Sequence, residues 1–246
     1  MEELVPRPQD GRTFTSQRRV RLADLDPHGR VRLDAVARWL QDAAIDDVDE
    51  TGWGAPEHVW VVRTIRVDVL EPLVGDREVE VVTWCSGVAA LAAGRRWSVT
   101  GDRGGRIEVD SVWIHLDRNG QPARITEFGV YGSAAGGRRV STRTALPSPP
   151  LDAPRVPWPL RATDVDPHGG HVNNAIHWQA VEHLLARGGP DVRKPLSARL
   201  DYREPIDLAD AIELVVDADS TRLHAALVDE ARTKAVALVS EFPSSS

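Results

Sequence analysis

The sequence predicts an α+β fold made of two tandem units, each a long helix wrapped by an antiparallel sheet. The first observation is a repeated phrase, D-x-D-P-H-G, which occupies residues 24–29 and recurs 140 residues later at residues 164–169. The second is that a helical pattern follows each copy, and several strand-like segments follow each helix. Two such units remove their exposed sheet edges by joining edge to edge. The expected arrangement is a double hotdog.

The first unit is predicted over residues 1–131 and begins with the segment RRVRLADL, which indicates a short strand before the motif. A helix follows, because apolar residues recur at helical spacing, at Leu33, Val36, Ala37, Leu40, Ala44 and Val48. The segments VWVVRTIRVDVLEPLVGDREVEVVTW, GRRWSVTG and GRIEVDSVWIHLD contain the alternating runs of strands with one buried face.

A linker is predicted over residues 132–156, which are rich in Gly, Ser and Pro. The second unit, over residues 157–246, repeats the plan of the first. PLRATDV predicts its first strand. Its helix shows apolar spacing less completely, at Ile176, Val181, Leu184 and Leu185. PLSARLDYREPIDLADAIELVVDADS, TRLHAALVDEA and TKAVALVSEF then predict the rest of the sheet.

Composition excludes several classes of protein. The single cysteine, Cys85, rules out an internal disulfide framework or a multi-cysteine zinc site, and its apolar surroundings favour a packed thiol. A net charge of −7 argues against binding nucleic acid by phosphate neutralisation. No stretch approaches the ~20 apolar residues of a membrane helix. MEELVPRPQDGRTF lacks the pattern of a secretory signal, so we expect no membrane span and a cytoplasmic location.

The second motif places polar groups where a helix begins, and this position suits acyl chemistry. The start of a helix offers free backbone N–H groups and the positive end of the helix dipole, which stabilise a developing oxyanion. Gly169 and Gly170 lack side chains, so an acyl carbonyl can approach the backbone closely. Asp166 precedes Pro167 and is therefore held in an extended conformation, from which a carboxylate can orient or deprotonate water.

Several segments resemble the plant-type acyl-ACP thioesterase family and its bacterial relatives. LQDAAIDDVDETG is similar to the family's first-helix segment, and VWVVRTIRVDVLEPLVGDREVEVVTWCSG to the strands that follow it. RRWSVTGDRGGRIEVDSVWIHLDRNGQPARI resembles the next hairpin, and DVDPHGGHVNN resembles the active-site signature D-x-D-x-N-x-H-V-N-N. The resemblance implies a double hotdog that hydrolyses acyl-ACP in fatty acid biosynthesis, with Asp166 and His171 as the functional aspartate and histidine.

Two departures from the family pattern affect the expected mechanism. The family's asparagine two residues before the histidine is Gly169 here, so that either His168 takes its place or nothing does. The family's later Glu-Cys pair meets LDYREPI, where Glu204 is a shifted match and Pro205 replaces the cysteine. A mechanism that requires that cysteine cannot operate. Glu71 holds the same E-P position in the first unit, which indicates a structural turn as the alternative for Glu204.

Each candidate also has a structural interpretation. Asp166 can form an Asx turn, and His171 can be a hydrogen-bonded core histidine. Asn173 and Asn174 are expected to cap the helix, Asn173 being the better candidate, and both are also assigned with Gly169, Gly170 and Trp178 to substrate binding. Trp178 suits the core as well as a substrate wall. Glu182 falls where some single hotdog enzymes place a helix carboxylate, but we expect it on a solvated helix face.

A metal site is not expected, although Asp164, Asp166, His168 and His171 include ligand types that suit zinc. Their spacing is not that of a known structural zinc site. The first motif has Arg30-Val31-Arg32-Leu33 where the second has Gly170-His171-Val172-Asn173. By analogy with the family we expect one active site, with the first helix lining the acyl pocket and Asp26 serving as a turn residue.

The predicted function is therefore an acyl-acyl carrier protein thioesterase that uses Asp166, His171, His168 and Glu204 and needs no cofactor. The alternatives are an acyl-CoA thioesterase and a hotdog protein that binds or senses acyl groups without hydrolysing them. The expected partners are acyl carrier protein and a fatty acyl thioester, and a homodimer is left open. Carrier protein is acidic, and five arginines around the linker suit it weakly: Arg138, Arg139, Arg143, Arg155 and Arg161.

Overall fold

The computed structural model describes residues 4–53, 59–125, 127–143, 146–150, 152–167 and 170–242. The helices are α1 (Leu33–Thr51), α2 (Tyr131–Ala135) and α3 (Asn174–Leu185). The strands are β1 (Thr13–Arg19), β2 (Val59–Glu71), β3 (Glu78–Ala89), β4 (Ala92–Gly101), β5 (Arg106–Leu116), β6 (Arg155–Pro157), β7 (Leu196–Tyr202), β8 (Ile212–Ala218), β9 (Arg222–Asp229) and β10 (Arg232–Glu241).

The strands form one antiparallel sheet in the order β1-β3-β4-β5-β2-β7-β10-β9-β8-β6. Each half of this order repeats the other in reverse, as two copies of one unit related by a twofold axis require. The halves meet where β2 pairs with β7, from Thr64 opposite Asp201 to Val69 opposite Leu196. The sheet therefore continues across the junction between the units.

The long helices α1 and α3 pack against each other and contribute to one hydrophobic core. Alternate strand residues face this core, since Val67 and Val69 of β2 and Leu196, Ala198 and Leu200 of β7 are buried in it. None of the described helices combines the length and apolar character that a membrane crossing requires.

The strands predicted directly before each motif are wrong in position. The strand β1 ends at Arg19, the second residue of RRVRLADL, and PLRATDV contains no strand. A short 3₁₀ turn leads into each motif instead. In each turn, the side chain of the motif's first aspartate accepts a hydrogen bond from the backbone N–H three residues earlier. Asp24 Oδ2 accepts from Arg21 N at 2.9 Å, and Asp164 Oδ2 accepts from Arg161 N at 2.8 Å. The predicted linker holds most of α2 and the start of β6.

Both long helices begin after a residue in extended conformation, Arg32 before α1 and Asn173 before α3. Asn173 is the predicted cap, and this is confirmed: its side-chain oxygen accepts a hydrogen bond from Ala175 N at 2.9 Å. At the other end α1 stops at Gly52, whose φ of 64° is the left-handed conformation that glycine adopts without strain.

A buried ionic network joins the two halves, and it corrects the expectation that Glu182 is solvated. Glu182 lies on α3 and is 8% exposed. Its Oε1 accepts from Leu33 N, the first N–H of α1, at 2.6 Å, and its Oε2 accepts from Arg30 Nη2 at 2.6 Å. Arg30 Nε donates to Asp26 Oδ2 at 3.0 Å. The carboxylate of one half thus caps the helix of the other.

Asp26 is a turn residue in this network, as predicted. Its Oδ1 accepts from His28 N at 2.8 Å and from Arg30 N at 2.9 Å. Burial opposes ionisation of Asp26, but the hydrogen bonds from Arg30 and His28 and the charge of Arg30 outweigh burial and lower the pKa of the carboxyl. The first D-x-D-P-H-G loop is consequently filled by protein charges.

Glu182→Ala is expected to destabilise the protein strongly, because it leaves the Arg30 guanidinium, only 4% exposed, with one carboxylate fewer. Removing one partner of a buried ion pair costs about 3–5 kcal/mol. Urea unfolding of the wild type and the variant measures the difference. The matched control is Glu213→Ala, which removes an exposed pair with Arg155 and should cost less than about 1 kcal/mol. Equal losses in the two variants would contradict the assigned role of Glu182.

Candidate active site

A cavity of about 980 Å³ extends from the second motif into the first half of the molecule. Its lining combines residues of α1 and of strands β2 to β5 with polar residues of the second half. The predicted site residues that line it are Asp166, His171, Asn173, Asn174 and Glu204. The first helix contributes Gln41, Ala44, Ile45, Val48 and Asp49.

The cavity opens where the two central strands separate. Pairing of β2 with β7 stops at Thr64, and a β-bulge interrupts β2 between Val62 and Thr64. Arg63, at the bulge, turns its Nη1 toward β7 and donates to Tyr202 O at 2.7 Å. The guanidinium thereby satisfies a backbone carbonyl that has lost its strand partner, and the bulge positions a cation on the cavity wall.

Asp166 is fixed by the loop in which it lies. Its backbone N–H donates to His171 O at 2.7 Å, and its carbonyl accepts from Gly170 N at 3.0 Å. Gly170 has a φ of 69°, which favours glycine at this position of the turn. The Asp166 side chain is partly buried, and its Oδ2 accepts from Asn173 Nδ2 at 2.8 Å. The loop therefore presents a carboxylate of defined orientation to the cavity.

Asn173 has two functions that depend on each other. Its side-chain oxygen is occupied by the cap of α3, so its amide nitrogen must point the other way, toward Asp166. Helix capping thus determines which atom of the amide meets the carboxylate. The equivalent cap position of α1 is Arg32, whose guanidinium pairs with Asp34 instead. Of the two motifs, only the second has its aspartate hydrogen-bonded by the residue that caps the following helix.

His171 lies at the cavity mouth and is paired with a residue that the sequence analysis missed. Its Nδ1 lies 2.7 Å from Asp207 Oδ1, with the two side chains 50% and 57% exposed. This excludes the buried core position that was the structural alternative for His171. Asp207 follows Glu204 by three residues in the loop after β7, and no motif in the sequence links it to the histidine.

Glu204 and Pro205 also line the cavity, beyond the end of β7. Glu204 is exposed, and in the described part of the chain its carboxylate has no hydrogen-bonding partner. Tyr202, which the sequence analysis did not select, lies between Glu204 and the helix, where its hydroxyl donates to Asn174 O at 3.3 Å. Its place in the LDYREPI segment, two residues before Glu204, is the sequence feature from which Tyr202 could have been selected.

Four predicted site residues have a different outcome. Gly170 forms the turn of the motif loop and does not line the cavity. His168 and Gly169 lie outside the described residues. Trp178 is fully buried in the core and does not line the cavity, so we remove it from the substrate-binding set. The described residues contain no group of three or more His, Cys, Asp or Glu side chains that could hold a metal ion.

The first half also contributes a cation to the cavity lining. Arg95, on β4, is 15% exposed and donates its Nη1 to Asp47 Oδ2 of α1 at 2.8 Å. Its guanidinium also lies over the rings of Trp97 and Tyr131, 6.0 and 5.5 Å from their centroids. Most of the cavity lining is apolar, and it includes Trp113.

Two family models together match most of the chain. Residues 11–127 match the acyl-ACP thioesterase N-terminal domain, and residues 152–237 match the acyl-ACP thioesterase C-terminal domain. An uncharacterised protein of Mycobacterium tuberculosis strain H37Rv is 31% identical over 238 residues, which cover 95% of this chain and 94% of that protein.

Solved structures share the fold. An acyl-ACP thioesterase from Bacteroides thetaiotaomicron has a TM-score of 0.75 at 17% identity and covers 93% of this chain and 97% of its own. A 12:0-ACP thioesterase from Umbellularia californica has a TM-score of 0.74 at 18% identity and covers 93% of each chain. The predicted double hotdog is confirmed.

His177, one turn into α3, generates a prediction about pH. Its ring is buried, stands edge-on to Tyr202 at 5.0 Å, and burial lowers its pKa from 6.5 to about 4. The folded protein therefore binds this proton less readily than the unfolded chain. Above pH 6.5 this group does not lower the free energy of unfolding. As the pH falls from 6.5 toward 4, protonation of the unfolded chain lowers that free energy by on the order of 3 kcal/mol.

Urea unfolding between pH 7.5 and pH 4 should accordingly show a steeper loss of stability for the wild type than for His177→Phe. The substitution keeps an aromatic ring against Tyr202 and removes the titrating group, while all other groups contribute equally to both proteins. A variant with the same pH slope as the wild type would show that His177 does not cause the loss.

Proposed function

Because the chain belongs to the acyl-ACP thioesterase family, we propose that it hydrolyses acyl-acyl carrier protein to free fatty acid and carrier thiol at the second motif. The observation that carries this proposal is the Asp166 carboxylate, held by Asn173 at the start of α3 and open to a cavity with a largely apolar lining. An acyl chain suits the apolar part, and the thioester then lies beside the polar loop.

Asp166 acts on the attacking water in this proposal. The carboxylate accepts a proton from water as the water oxygen bonds to the thioester carbon, which forms a tetrahedral intermediate. Collapse of the intermediate breaks the C–S bond and returns a proton to the departing thiolate. The hydrogen bond from Asn173 to Oδ2 keeps the carboxylate in a fixed orientation during this step.

The start of α3 supplies the site for negative charge on the carbonyl oxygen. The N–H of Asn174 is the first of the helix and has no acceptor within it. In the first half the equivalent N–H, that of Leu33, donates to a carboxylate oxygen of Glu182. An anionic oxygen is therefore already bound at one of the two helix starts, which supports oxyanion binding at the other.

His171 and Glu204 are proposed as the groups that manage protons at the leaving sulfur. Asp207 orients the His171 ring through Nδ1, which leaves Nε2 for the substrate. Glu204 is the second acid near the mouth, and Pro205 beside it excludes any step through a cysteine at that position. Asn174 and Gly170, with His168 and Gly169 of the same loop, remain predicted contacts of the thioester arm.

Acyl carrier protein is the proposed partner, and the arginines predicted to meet it divide into two groups. Arg138 donates to Ser86 O at 2.9 Å and to Ala134 O at 2.7 Å, so its guanidinium serves the fold. Arg155 pairs with Glu213. The other three are exposed and supply the basic surface: Arg139, Arg143 and Arg161. A homodimer and a cytoplasmic location stay predictions.

The repeat provides a matched test of Asp166. Asp166→Asn should lower kcat at least about tenfold, roughly 1.4 kcal/mol of barrier, because it removes the base while keeping the side chain's shape. Asp26→Asn should leave kcat of the folded protein near wild type and lower stability, since Asp26 binds the buried Arg30. Thiol release from acyl thioesters without added metal or nucleotide measures both.

Equal kinetic losses in the two variants would indicate two active sites. A loss at Asp26 alone would transfer the chemistry to the first half, and no loss at either would remove the carboxylate from the mechanism. A wild-type protein that binds acyl-ACP and acyl-CoA but releases thiol from neither would favour the non-hydrolytic alternative.

The carrier preference is tested by comparing kcat/KM for one acyl chain carried by ACP and by CoA. We expect the higher value with ACP at low salt, because acidic carrier protein is attracted to the exposed arginines, and a steep fall as salt is added. Replacing Arg139 and Arg143 by alanine should lower kcat/KM for acyl-ACP and leave acyl-CoA nearly unchanged. If acyl-CoA is hydrolysed at least as efficiently, the carrier assignment is wrong while the chemistry survives.

A further inference from the structure

The ninth residue differs between the two long helices, and this difference bears on catalysis. Glu182 is the ninth residue of α3, and it binds the first N–H of α1. Gln41 is the ninth residue of α1. Gln41 lines the cavity together with Asn174, the first residue of α3. The two positions therefore correspond, and a neutral amide stands where the other half has a carboxylate.

Local geometry supports this correspondence. A short bridge closes each motif loop before the helix, Leu25 with Val31 in the first half and Val165 with Val172 in the second. Each bridge is followed by one extended cap residue and then the helix. Because an α-helix rises ~1.5 Å per residue, equal counts place both ninth residues about 12 Å from the start of their own helix. The twofold relation then brings each to the start of the partner helix.

We propose that Gln41 is a catalytic residue, whose side-chain amide donates a hydrogen bond to the thioester carbonyl oxygen beside the N–H of Asn174. This inference rests on the proposed function and adds a second donor to its oxyanion site. As the carbonyl oxygen becomes negative in the tetrahedral intermediate, both donors stabilise it more than they stabilise the substrate.

The Glu182 carboxylate marks where such an oxygen binds. Its Oε1 accepts a hydrogen bond from Leu33 N at 2.6 Å, and its Oε2 accepts a second one from the positively charged Arg30. In the second half no arginine occupies the loop, and a carboxylate at the ninth position of α1 would repel a substrate oxyanion. Glutamine keeps the reach of glutamate but can donate through Nε2, which suits the charge that develops in the reaction.

The Gln41 amide is available for this role. In the part of the chain that the structure describes, its side chain makes no hydrogen bond, although it is partly buried and adjoins Asn174 and Tyr202. Its neighbour Asp42 is exposed and does not line the cavity. A purely structural role for Gln41 would make no demand on the amide group.

The first test is Gln41→Leu, which removes the donor and retains a side chain of similar size. We expect kcat and kcat/KM to fall together, on the order of 10²-fold, with KM little changed, because the lost interaction belongs to the transition state. Asp42→Leu on the same helix is the matched control and should turn over normally. Urea unfolding checks that both variants fold, and Gln41→Asn, with a shorter amide, replaces Gln41→Leu if that variant does not.

Gln41→Glu separates hydrogen-bond donation from structural effects. An ionised glutamate cannot donate and repels the oxyanion, whereas a protonated one donates again. The ratio of variant to wild-type kcat should therefore rise as pH is lowered, a dependence that a structural role would not create.

The results separate this inference from the proposed function. A wild type that hydrolyses acyl thioesters, together with a folded Gln41→Leu of equal kcat, overturns the role of Gln41 alone. A Gln41→Glu variant whose ratio to wild type is constant with pH also overturns donation. A wild type that releases no thiol overturns the proposed function and this role with it.

Discussion

The pairing of β2 with β7 is the constraint on which the rest of the structure depends. It joins two five-stranded halves into one sheet and brings the helices α1 and α3 into contact over its face. Each helix start then meets the middle of the other helix. Because side chains alternate between sheet faces, a slip of one residue in this register would turn Leu200 and its neighbours out of the core. The same pairing stops at Thr64, and the cavity opens where it stops.

Duplication allows the two motif loops to serve different ends. In the first half Arg30 fills the loop, and its charge is balanced by Asp26 and Glu182. Three buried ionic groups that satisfy one another are tolerable, whereas a lone buried charge is costly. In the second half the loop contains glycine and histidine at the corresponding places, and Asp166 keeps access to the cavity. One loop stabilises the junction, and in the proposed function the other binds the substrate.

The repeat made the fold predictable from sequence, because D-x-D-P-H-G, the helix spacing and the alternating runs all agreed at two places. Local rules also found the Asn173 cap. They failed where a partner lies far away in the chain. Glu182 was predicted to be solvated because its hydrogen-bond donors, Arg30 and the N–H of Leu33, are about 150 residues away in the sequence. Asp207 is nearer in sequence to its partner, His171. However, the pattern around a single acidic residue in a loop does not predict a partner, and only the fold shows that the two side chains lie 2.7 Å apart. The strand predictions before each motif missed a turn that one aspartate creates.

The unequal size of the two halves matches the position of the cavity, which is lined mostly by residues of the first half. In the first half α1 has 19 residues and β2 and β3 have 13 and 12, whereas α3 has 12 and β7 and β8 have seven each. The longer elements of the first half line most of the cavity, and in the proposed function the shorter half contributes the chemistry. Tyr202 on β7 and Arg95 on β4 are three strand spacings apart, or roughly 14 Å. Arg95, which is paired with Asp47, lines the cavity on this side. Removing one partner of a buried pair costs about 3–5 kcal/mol, so in the proposed function an apolar acyl chain reaches this pair without displacing it.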